Sequence, residues 1–327
     1  MAKIIGNLEP EDDYTHPLGK ESNFNESMYF NFFDPAKATG GFVRLGNRAN
    51  EGNAEMTVCL YLADGRVLFN FKRAPIENND AFDAGGLAFE VIEPSELLRT
   101  RYAGSALELE DARSMADPSE AFRKSARRKL NLDLTHRASG PMYGKSRSRA
   151  EEERDSEQQF GKAHYEQHMR VTGSLEVEGE TIEIDGYGLR DHSWGPRYWQ
   201  AIASYEWLTM NFGPDFGAMV SIIRRDSNDE KRGGVVVRGG ELSLIKHVEI
   251  ETQFEENGLY HRSLQVRLET HDEEKLEISG EVKGFIPLRN RREGLVTHIG
   301  EGMTEWRCGE QTGYGLSEYL RQVPPGA

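Results

Sequence analysis

The chain has 327 residues, a formal net charge of −15 and a charged fraction of 29%. This length exceeds what one hydrophobic core usually serves, so the sequence predicts two domains. The acidic balance argues against nucleic acid as the main partner, because phosphate binding depends on Lys and Arg.

Short strands dominate the predicted first half of the chain. An aromatic run over residues 28–33 is typical of a strand, and residues 55–62 and 67–72 flank a tight turn, which predicts a hairpin. One helix interrupts this pattern, with Asp117 as its cap and Pro118 at its first position.

A charged linker is predicted between two β domains. Residues 146–163 are dense in charge and lack an apolar stripe. We therefore expect an N-terminal domain over residues 1–145 and a C-terminal domain over residues 164–327. Many short strands with regular turns and few short helices predict an all-β fold, with two antiparallel β-barrel or sandwich domains.

The second predicted domain opens on a strand with two distinct faces. Tyr165 and Gln167 share their parity with apolar residues, so both are expected on the buried face, where they need hydrogen-bond partners from protein or ligand. His164, Glu166 and His168 have the opposite parity and are expected on the outer face, with Glu166 solvated. The two histidines would be about 13 Å apart along a strand, too far to share one metal ion.

Residues 186–199 carry the strongest chemical signal. Three glycines, a proline and two tryptophans surround the adjacent pair Asp191 and His192, which predicts a sharply bent strand on the inner wall of the second barrel, where the two domains meet. A carboxylate and an imidazole can act as general acid and base. Neighbouring strand residues face opposite sides, so only one of Asp191 and His192 is expected to work with Tyr165 and Gln167.

The same residues allow purely structural explanations. Asp191 and His192 could satisfy backbone groups in the bent strand, and Tyr165 and Gln167 could form a hydrogen-bond pair in the core. The aromatic side chains could be ordinary core packing. Under the functional interpretation, the candidate catalytic residues are Asp191, His192 and Tyr165. The candidate substrate-binding residues are Gln167, Trp194, Arg197, Trp199 and Tyr187.

A family resemblance rests on this stretch. The string from Gly188 to Arg197, Gly-Leu-Arg-Asp-His-Ser-Trp-Gly-Pro-Arg, resembles the signature of two-domain lipocalin-like (calycin-type) proteins. These include carotenoid 1,2-hydratases of the hydroxyneurosporene synthase type and AttH-like proteins. Residues 165–167 and the C-terminal run Gly-Tyr-Gly-Leu-Ser-Glu-Tyr over residues 313–319 look like the same group. The resemblance covers most of the chain.

The resemblance implies two lipocalin-like β domains with an apolar cavity. It also implies a lyase or isomerase, such as a hydratase or dehydratase, that uses acid–base chemistry on a hydrophobic terpenoid or phenolic molecule. No organic cofactor and no metal are expected. Two alternatives remain open, a non-catalytic carrier of apolar metabolites and a structural or interaction protein.

The remaining expectations concern the environment of the protein. Two distant cysteines, no apolar leader and no run of about 20 apolar residues favour a cytoplasmic protein with no membrane partner. A hydrophobic small molecule is the expected partner. The sequence leaves the oligomeric state open, a homodimer included.

Overall fold

A computed structural model of the chain describes residues 2–145, 163–226, 228–292 and 294–323. The fold is all-β with few short helices, as predicted. The strands are β1 (Ile4–Ile5), β2 (Phe24–Asp34), β3 (Thr39–Arg48), β4 (Asn53–Tyr61), β5 (Val67–Pro75), β6 (Asp83–Ala84), β7 (Leu87–Glu93), β8 (Leu97–Leu109), β9 (Arg127–Ala138), β10 (Met142–Lys145), β11 (Ala163–Val177), β12 (Glu180–Pro196), β13 (Ser204–Asn211), β14 (Phe216–Arg224), β15 (Glu230–Arg238), β16 (Glu241–Phe254), β17 (His261–Thr270), β18 (Lys275–Arg292), β19 (Leu295–Cys308) and β20 (Gln311–Val323).

The described helices are short. The one α-helix in this part of the chain, α1 (Pro118–Lys124), begins as predicted, because the Asp117 side chain accepts the backbone N–H of Glu120 at 3.2 Å. The 3-10 helices are Pro10–Asp13, Ala49–Glu51, Ala112–Ala116 and Trp199–Ala201. Within the described residues, no helix has the length and hydropathy needed to cross a membrane.

The chain divides into two compact units. Unit 1 comprises Met1–Glu108 and Ala126–Tyr198, and unit 2 comprises Leu109–Ser125 and Trp199–Ala327. This division differs from the predicted one. The long strands β11 and β12 pair with β9 and β2, so they belong to the first unit rather than to a second barrel. Most of the predicted linker, residues 146–162, lies outside the described residues.

Unit 1 is built on a twelve-stranded sheet whose pairing closes on itself. Eight strands form the closed circuit β11-β12-β2-β3-β4-β5-β8-β9, since β9 pairs with both β8 and β11. Met28, Phe30 and Phe32 of β2 and Met169 and Val171 of β11 belong to one buried apolar core. Their alternate spacing sets which face of each strand is the inner face.

Unit 2 contains a closed barrel of the eight strands from β13 to β20. Its buried core includes Leu208, Trp306 and Tyr319. The barrel closes by antiparallel pairing of β20 with β13.

The closing pair of each unit has the same local design. The sequence Gly-Tyr-Gly-Leu occurs at 186–189 in β12, which pairs with β2, and again at 313–316 in β20, which pairs with β13. A Cβ on Gly188 would lie 1.8 Å from the carbonyl oxygen of Asn31, and one on Gly315 would lie 1.9 Å from that of Thr209. Only glycine permits so close a backbone approach.

Candidate functional site

Four polar residues, three of them predicted site residues, lie together on the inner face of β11 and β12. The antiparallel register sets Tyr165 opposite His192 and Gln167 opposite Arg190. Glu26 of β2 lies opposite Trp194 and has the parity of the apolar residues of its own strand. The inner face of unit 1 therefore has a polar end that continues directly into the apolar core.

The N-terminal segment completes this polar end. The 3-10 helix Pro10–Asp13 and the residues after it bring Asp12, Asp13 and His16 to the strands. A small apolar core fixes the segment; its buried members are Leu8, Phe24, Met142, Ala163, Tyr165 and Trp194. The resulting group is called the buried polar cluster here. It comprises Asp12, Asp13, His16, Glu26, Tyr165, Gln167, Arg190 and His192.

Arg190 is fully buried and is held on all sides. Its Nη1 donates to Asp13 Oδ1 at 2.5 Å and to Tyr165 Oη at 3.1 Å, while Nε and Nη2 donate to Gln167 Oε1 at 2.9 and 2.6 Å. The Gln167 amide in turn donates to the carbonyl oxygens of Ser95 and Gly140. Gln167 thus orients Arg190, and Arg190 compensates the charge of Asp13.

A chain of hydrogen bonds runs from Asp13 to Glu26. Tyr165 Oη lies 2.5 Å from Asp13 Oδ1 and 3.0 Å from His192 Nδ1, and His192 Nε2 lies 3.0 Å from Glu26 Oε1. Burial raises the pKa of the Tyr165 phenol well above its ordinary value, and Arg190 offsets only part of this effect. Burial would raise the pKa of Asp13 too, but Arg190 lowers it below its ordinary value.

His16 closes the other end of the cluster. Its Nδ1 lies 2.6 Å from Glu26 Oε1, its Nε2 lies 3.1 Å from Asp12 Oδ1, and its ring stacks on Trp194 at 3.8 Å. Burial alone would lower the pKa of His16, but hydrogen bonds to Asp12 and Glu26 raise it to about 9. Burial would raise the pKa of Glu26, whereas hydrogen bonds to His16 and His192 lower it to about 2.

Aromatic rings of the apolar core adjoin the cluster. The edge of Phe82 meets His192 with ring centroids 5.4 Å apart, and Phe82 lies 6.2 Å from Phe89. Deeper in the core, His136 lies 4.3 Å from Phe30, and burial lowers its pKa to about 3. A neutral imidazole therefore lies among the aromatic rings, next to a strongly ionised network.

Asp191 lies on the opposite face of β12 from His192. It pairs with His164, and Glu166 lies 3.5 Å from the same imidazole nitrogen. The parity argument from the sequence agrees with this arrangement. The expectation that Glu166 is solvated is wrong, because its side chain is buried and accepts a hydrogen bond from Tyr143 at 3.2 Å.

The other predicted substrate-binding residues are not all part of the cluster. Arg197 is buried and donates to Ser193 Oγ at 2.5 Å, while Tyr187 has the strand parity of Asp191. Trp199 belongs to unit 2, where its carbonyl oxygen accepts a hydrogen bond from Gln322. Trp194 does line the cluster, through its stacking on His16.

Sequence reasoning missed the N-terminal half of the cluster. Asp12, Asp13, His16 and Glu26 fall in a polar, acidic segment that looks irregular in the sequence. The available signal was Glu26. It lies two residues before Met28 on β2 and therefore faces the same, inward side of the strand. A charged residue continuing the apolar face of a strand must be paired if it is buried.

Comparisons with known proteins agree on the fold. A family model described as "Domain of unknown function (DUF7064)" matches residues 9–323. A Nitrosomonas europaea protein provisionally named AttH shares 17% identity at a TM-score of 0.62, covering 98% of each chain. CghA with Sch210972 shares 12% identity at a TM-score of 0.58, covering 94% of this chain and 90% of that one. Kievitone hydratase from Nectria haematococca shares 12% identity at a TM-score of 0.51, covering 98% and 96%.

These likenesses confirm the predicted resemblance at the level of the fold. At such identities they do not extend to substrate or mechanism. A search of the curated proteins finds no match to the chain.

Proposed function

The chain belongs to the family described as a domain of unknown function, DUF7064, and we propose that it is a lyase- or isomerase-type enzyme acting on a hydrophobic small molecule. The reaction is a proton transfer that adds or removes water or shifts a double bond. It takes place at the buried polar cluster of unit 1. That a structural neighbour is a hydratase by name is consistent with this class.

One observation carries the proposal. His192 lies between the Tyr165 phenol at 3.0 Å and the Glu26 carboxylate at 3.0 Å, with the edge of Phe82 against its ring. An imidazole held by two oxygens can accept a proton at one nitrogen and release one at the other. The adjoining aromatic rings favour an apolar substrate.

The residue roles follow from these contacts. His192 moves the proton, and Tyr165 holds or polarises the oxygen of the substrate. Arg190 and Gln167 are positioning residues, because their hydrogen bonds go to Asp13, Tyr165 and the backbone. Asp191, on the opposite face, is not assigned the proton transfer.

The test uses a defined panel of terpenoid alkenes, tertiary alcohols and phenols, with kievitone included. Gain or loss of one water and deuterium uptake from D2O are followed by mass spectrometry. We expect His192→Ala to lower turnover about 10²–10⁴-fold, while the exposed unit 2 variant His247→Ala keeps it. Circular dichroism establishes that each variant is folded.

Two outcomes count against the proposal. Full turnover in both His192→Ala and Tyr165→Phe removes the assigned roles. Loss of turnover in Asp191→Asn but not in His192→Ala moves the reaction to the other face of β12.

A carrier function is the second candidate. The observation in its favour is that Arg190 and Gln167 already make their hydrogen bonds within the protein, which is typical of a structural network. Binding of a panel compound without conversion, unaffected by His192→Ala, supports the carrier.

A further inference from the structure

Three potential metal ligands converge within the buried polar cluster. His16, Glu26 and His192 each offer one ligand atom, and these three atoms all lie within 4.8 Å of one another. Glu26 Oε1 is shared, at 2.6 Å from His16 and 3.0 Å from His192. Two imidazoles and one carboxylate are a donor set that suits zinc and related divalent ions.

We propose that His16, Glu26 and His192 bind one divalent transition-metal cation of the zinc type, which takes the place of the protons between them and thereby blocks proton transfer. The binding part of this inference stands on the geometry alone. The blocking part rests on the proposed function, because it requires that His192 moves a proton in the reaction.

In both histidines of the proposed site, the ring nitrogen that does not bind the metal can donate a hydrogen bond to an oxygen. If His16 binds through Nδ1, its Nε2–H can donate to Asp12 Oδ1 at 3.1 Å. If His192 binds through Nε2, its Nδ1–H can donate to Tyr165 Oη, whose own proton is directed to Asp13 Oδ1 at 2.5 Å. Such outer partners fix the tautomer and orientation of metal-binding imidazoles.

The charges of the cluster also favour a divalent ion. Three carboxylates, Asp12, Asp13 and Glu26, face one permanent cation, Arg190, across the hydrogen bonds described above. Imidazoles bind a metal ion in their neutral form, so in the metal-bound cluster these groups would leave two negative charges. One divalent ion balances them, and a buried net charge would otherwise be costly.

Only a small adjustment is needed to admit the ion. Metal–ligand bonds of about 2.0–2.2 Å require donor atoms to be about 3 Å or more apart, and the His16–Glu26 distance is 2.6 Å. His16 lies in the segment between the 3-10 helix and β2 rather than on a barrel strand. His16 and Asp12 are also the partly exposed members, at 19% and 20% of their side chains, so an ion can enter on that side.

A second group of donors in unit 1 supplies the competing site. His164, Glu166 and Asp191 are also within ligand distance of one another, on the opposite face of β12, but the His164 side chain is 51% exposed. Within the described part of the chain, His164 makes hydrogen bonds through Nε2 only, whereas both ring nitrogens of His16 and of His192 contact a side-chain oxygen. His164→Ala is therefore the matched control variant.

The binding experiment uses the metal-free full-length protein and Zn²⁺ in isothermal titration calorimetry. We expect about one strong site, at least tenfold weaker in His16→Ala and in Glu26→Gln and unchanged in His164→Ala. Strong binding that survives in both His16→Ala and Glu26→Gln, or is lost in His164→Ala, overturns the site. Absence of binding to the wild-type protein also overturns it.

A spectroscopic readout tests the site with all three proposed ligands in place. Trp194 stacks on His16 and is the one tryptophan that unit 1 contains, since the other three fall in unit 2. Co²⁺ at the triad should quench part of the fluorescence, and this part should be absent in Trp194→Phe. Equal quenching in wild type and Trp194→Phe contradicts binding at this place.

The blocking part is tested with the turnover assay. Stoichiometric Zn²⁺ should abolish turnover in the wild-type enzyme, and a chelator should restore it. Turnover that rises with Zn²⁺ overturns the blocking role and leaves the site intact. If no panel compound reacts at all, the proposed function and the blocking role that depends on it fail together, while calorimetry and fluorescence still decide the metal site.

Discussion

The two units close their barrels in the same way but bury different chemistry at the closing strand. After the shared Gly-Tyr-Gly-Leu sequence, β12 continues with Arg190-Asp191-His192 and β20 with Ser317-Glu318-Tyr319. The backbone N–H of Leu189 donates to Asn31 Oδ1 at 2.9 Å, and that of Leu316 donates to Thr209 Oγ1 at 2.9 Å. The strand register therefore makes Arg190 and Ser317 equivalent positions.

The inward-facing side chains after the shared sequence are ionised in unit 1 and neutral in unit 2. In unit 2, Ser317 Oγ lies 2.8 Å from His261 Nε2 and 2.7 Å from Thr304 Oγ1, and all three residues come from barrel strands. In unit 1, Arg190 instead needs Asp13, which the N-terminal segment provides. In unit 2 the neutral network is completed within the barrel, whereas in unit 1 the buried charge of Arg190 is compensated by a carboxylate from outside the barrel strands.

The largest expected effect comes from removing the buried cation. Arg190→Met leaves the Asp13 carboxylate uncompensated, so we expect the opening free energy of β11 and β12 to fall by about 3–5 kcal/mol. Hydrogen exchange measured by mass spectrometry reports this for each unit separately. Ser317→Ala, at the equivalent position, should cost unit 2 only about 1–3 kcal/mol.

The double variant Asp13→Leu/Arg190→Met sharpens this test. It removes both charges and should recover part of the loss, because an apolar pair carries no uncompensated charge. A loss in Arg190→Met no greater than that in Ser317→Ala would mean that charge does not distinguish the two networks.

The shared glycines should have similar effects in both units. Gly188→Ala and Gly315→Ala each force a Cβ against a carbonyl oxygen, and we expect each to destabilise its own unit by about 1–3 kcal/mol. Gly233→Ala in β15 is the control, because a Cβ there meets nothing within 4 Å. Thermal unfolding together with hydrogen exchange assigns each loss of stability to a unit. If only one of the two glycine variants loses stability, the two glycines are not structurally equivalent.

The smallest expected effect is a pH dependence of unit 2. Burial lowers the pKa of His261 to about 3 and that of His298 to about 4, so both imidazoles are neutral in the folded unit at pH 7. In the unfolded chain they take up protons below about pH 6.5. The stability of unit 2 therefore falls as the pH decreases from about 6.5 towards 4.

Each of these histidines should lower the free energy of unfolding of unit 2 by about 1 kcal/mol between pH 7 and pH 5.5, because it takes up a proton only in the unfolded chain. Urea unfolding at the two pH values measures the effect. His261→Gln removes one titrating group and should flatten the dependence. An unchanged slope in that variant shows that His261 is not the source.

The sequence by itself determined the local features of this protein. Alternation placed Tyr165 and Gln167 on one face of β11, and it separated Asp191 from His192 on β12, because successive strand residues face opposite sides. Turn residues and the cap at Asp117 located the hairpin and the helix. These features depend on neighbours within a few residues.

Tertiary structure decided which strands pair and which groups meet. Tyr165 and Arg190 find Asp13 at separations of 152 and 177 residues, and His192 finds Glu26 at 166. The same pairing assigns β11 and β12 to unit 1 instead of to a second domain. No local pattern encodes these partners, because a buried charge selects its counterion by position in the folded chain, and the acidic N-terminal segment offers many carboxylates of equal local character.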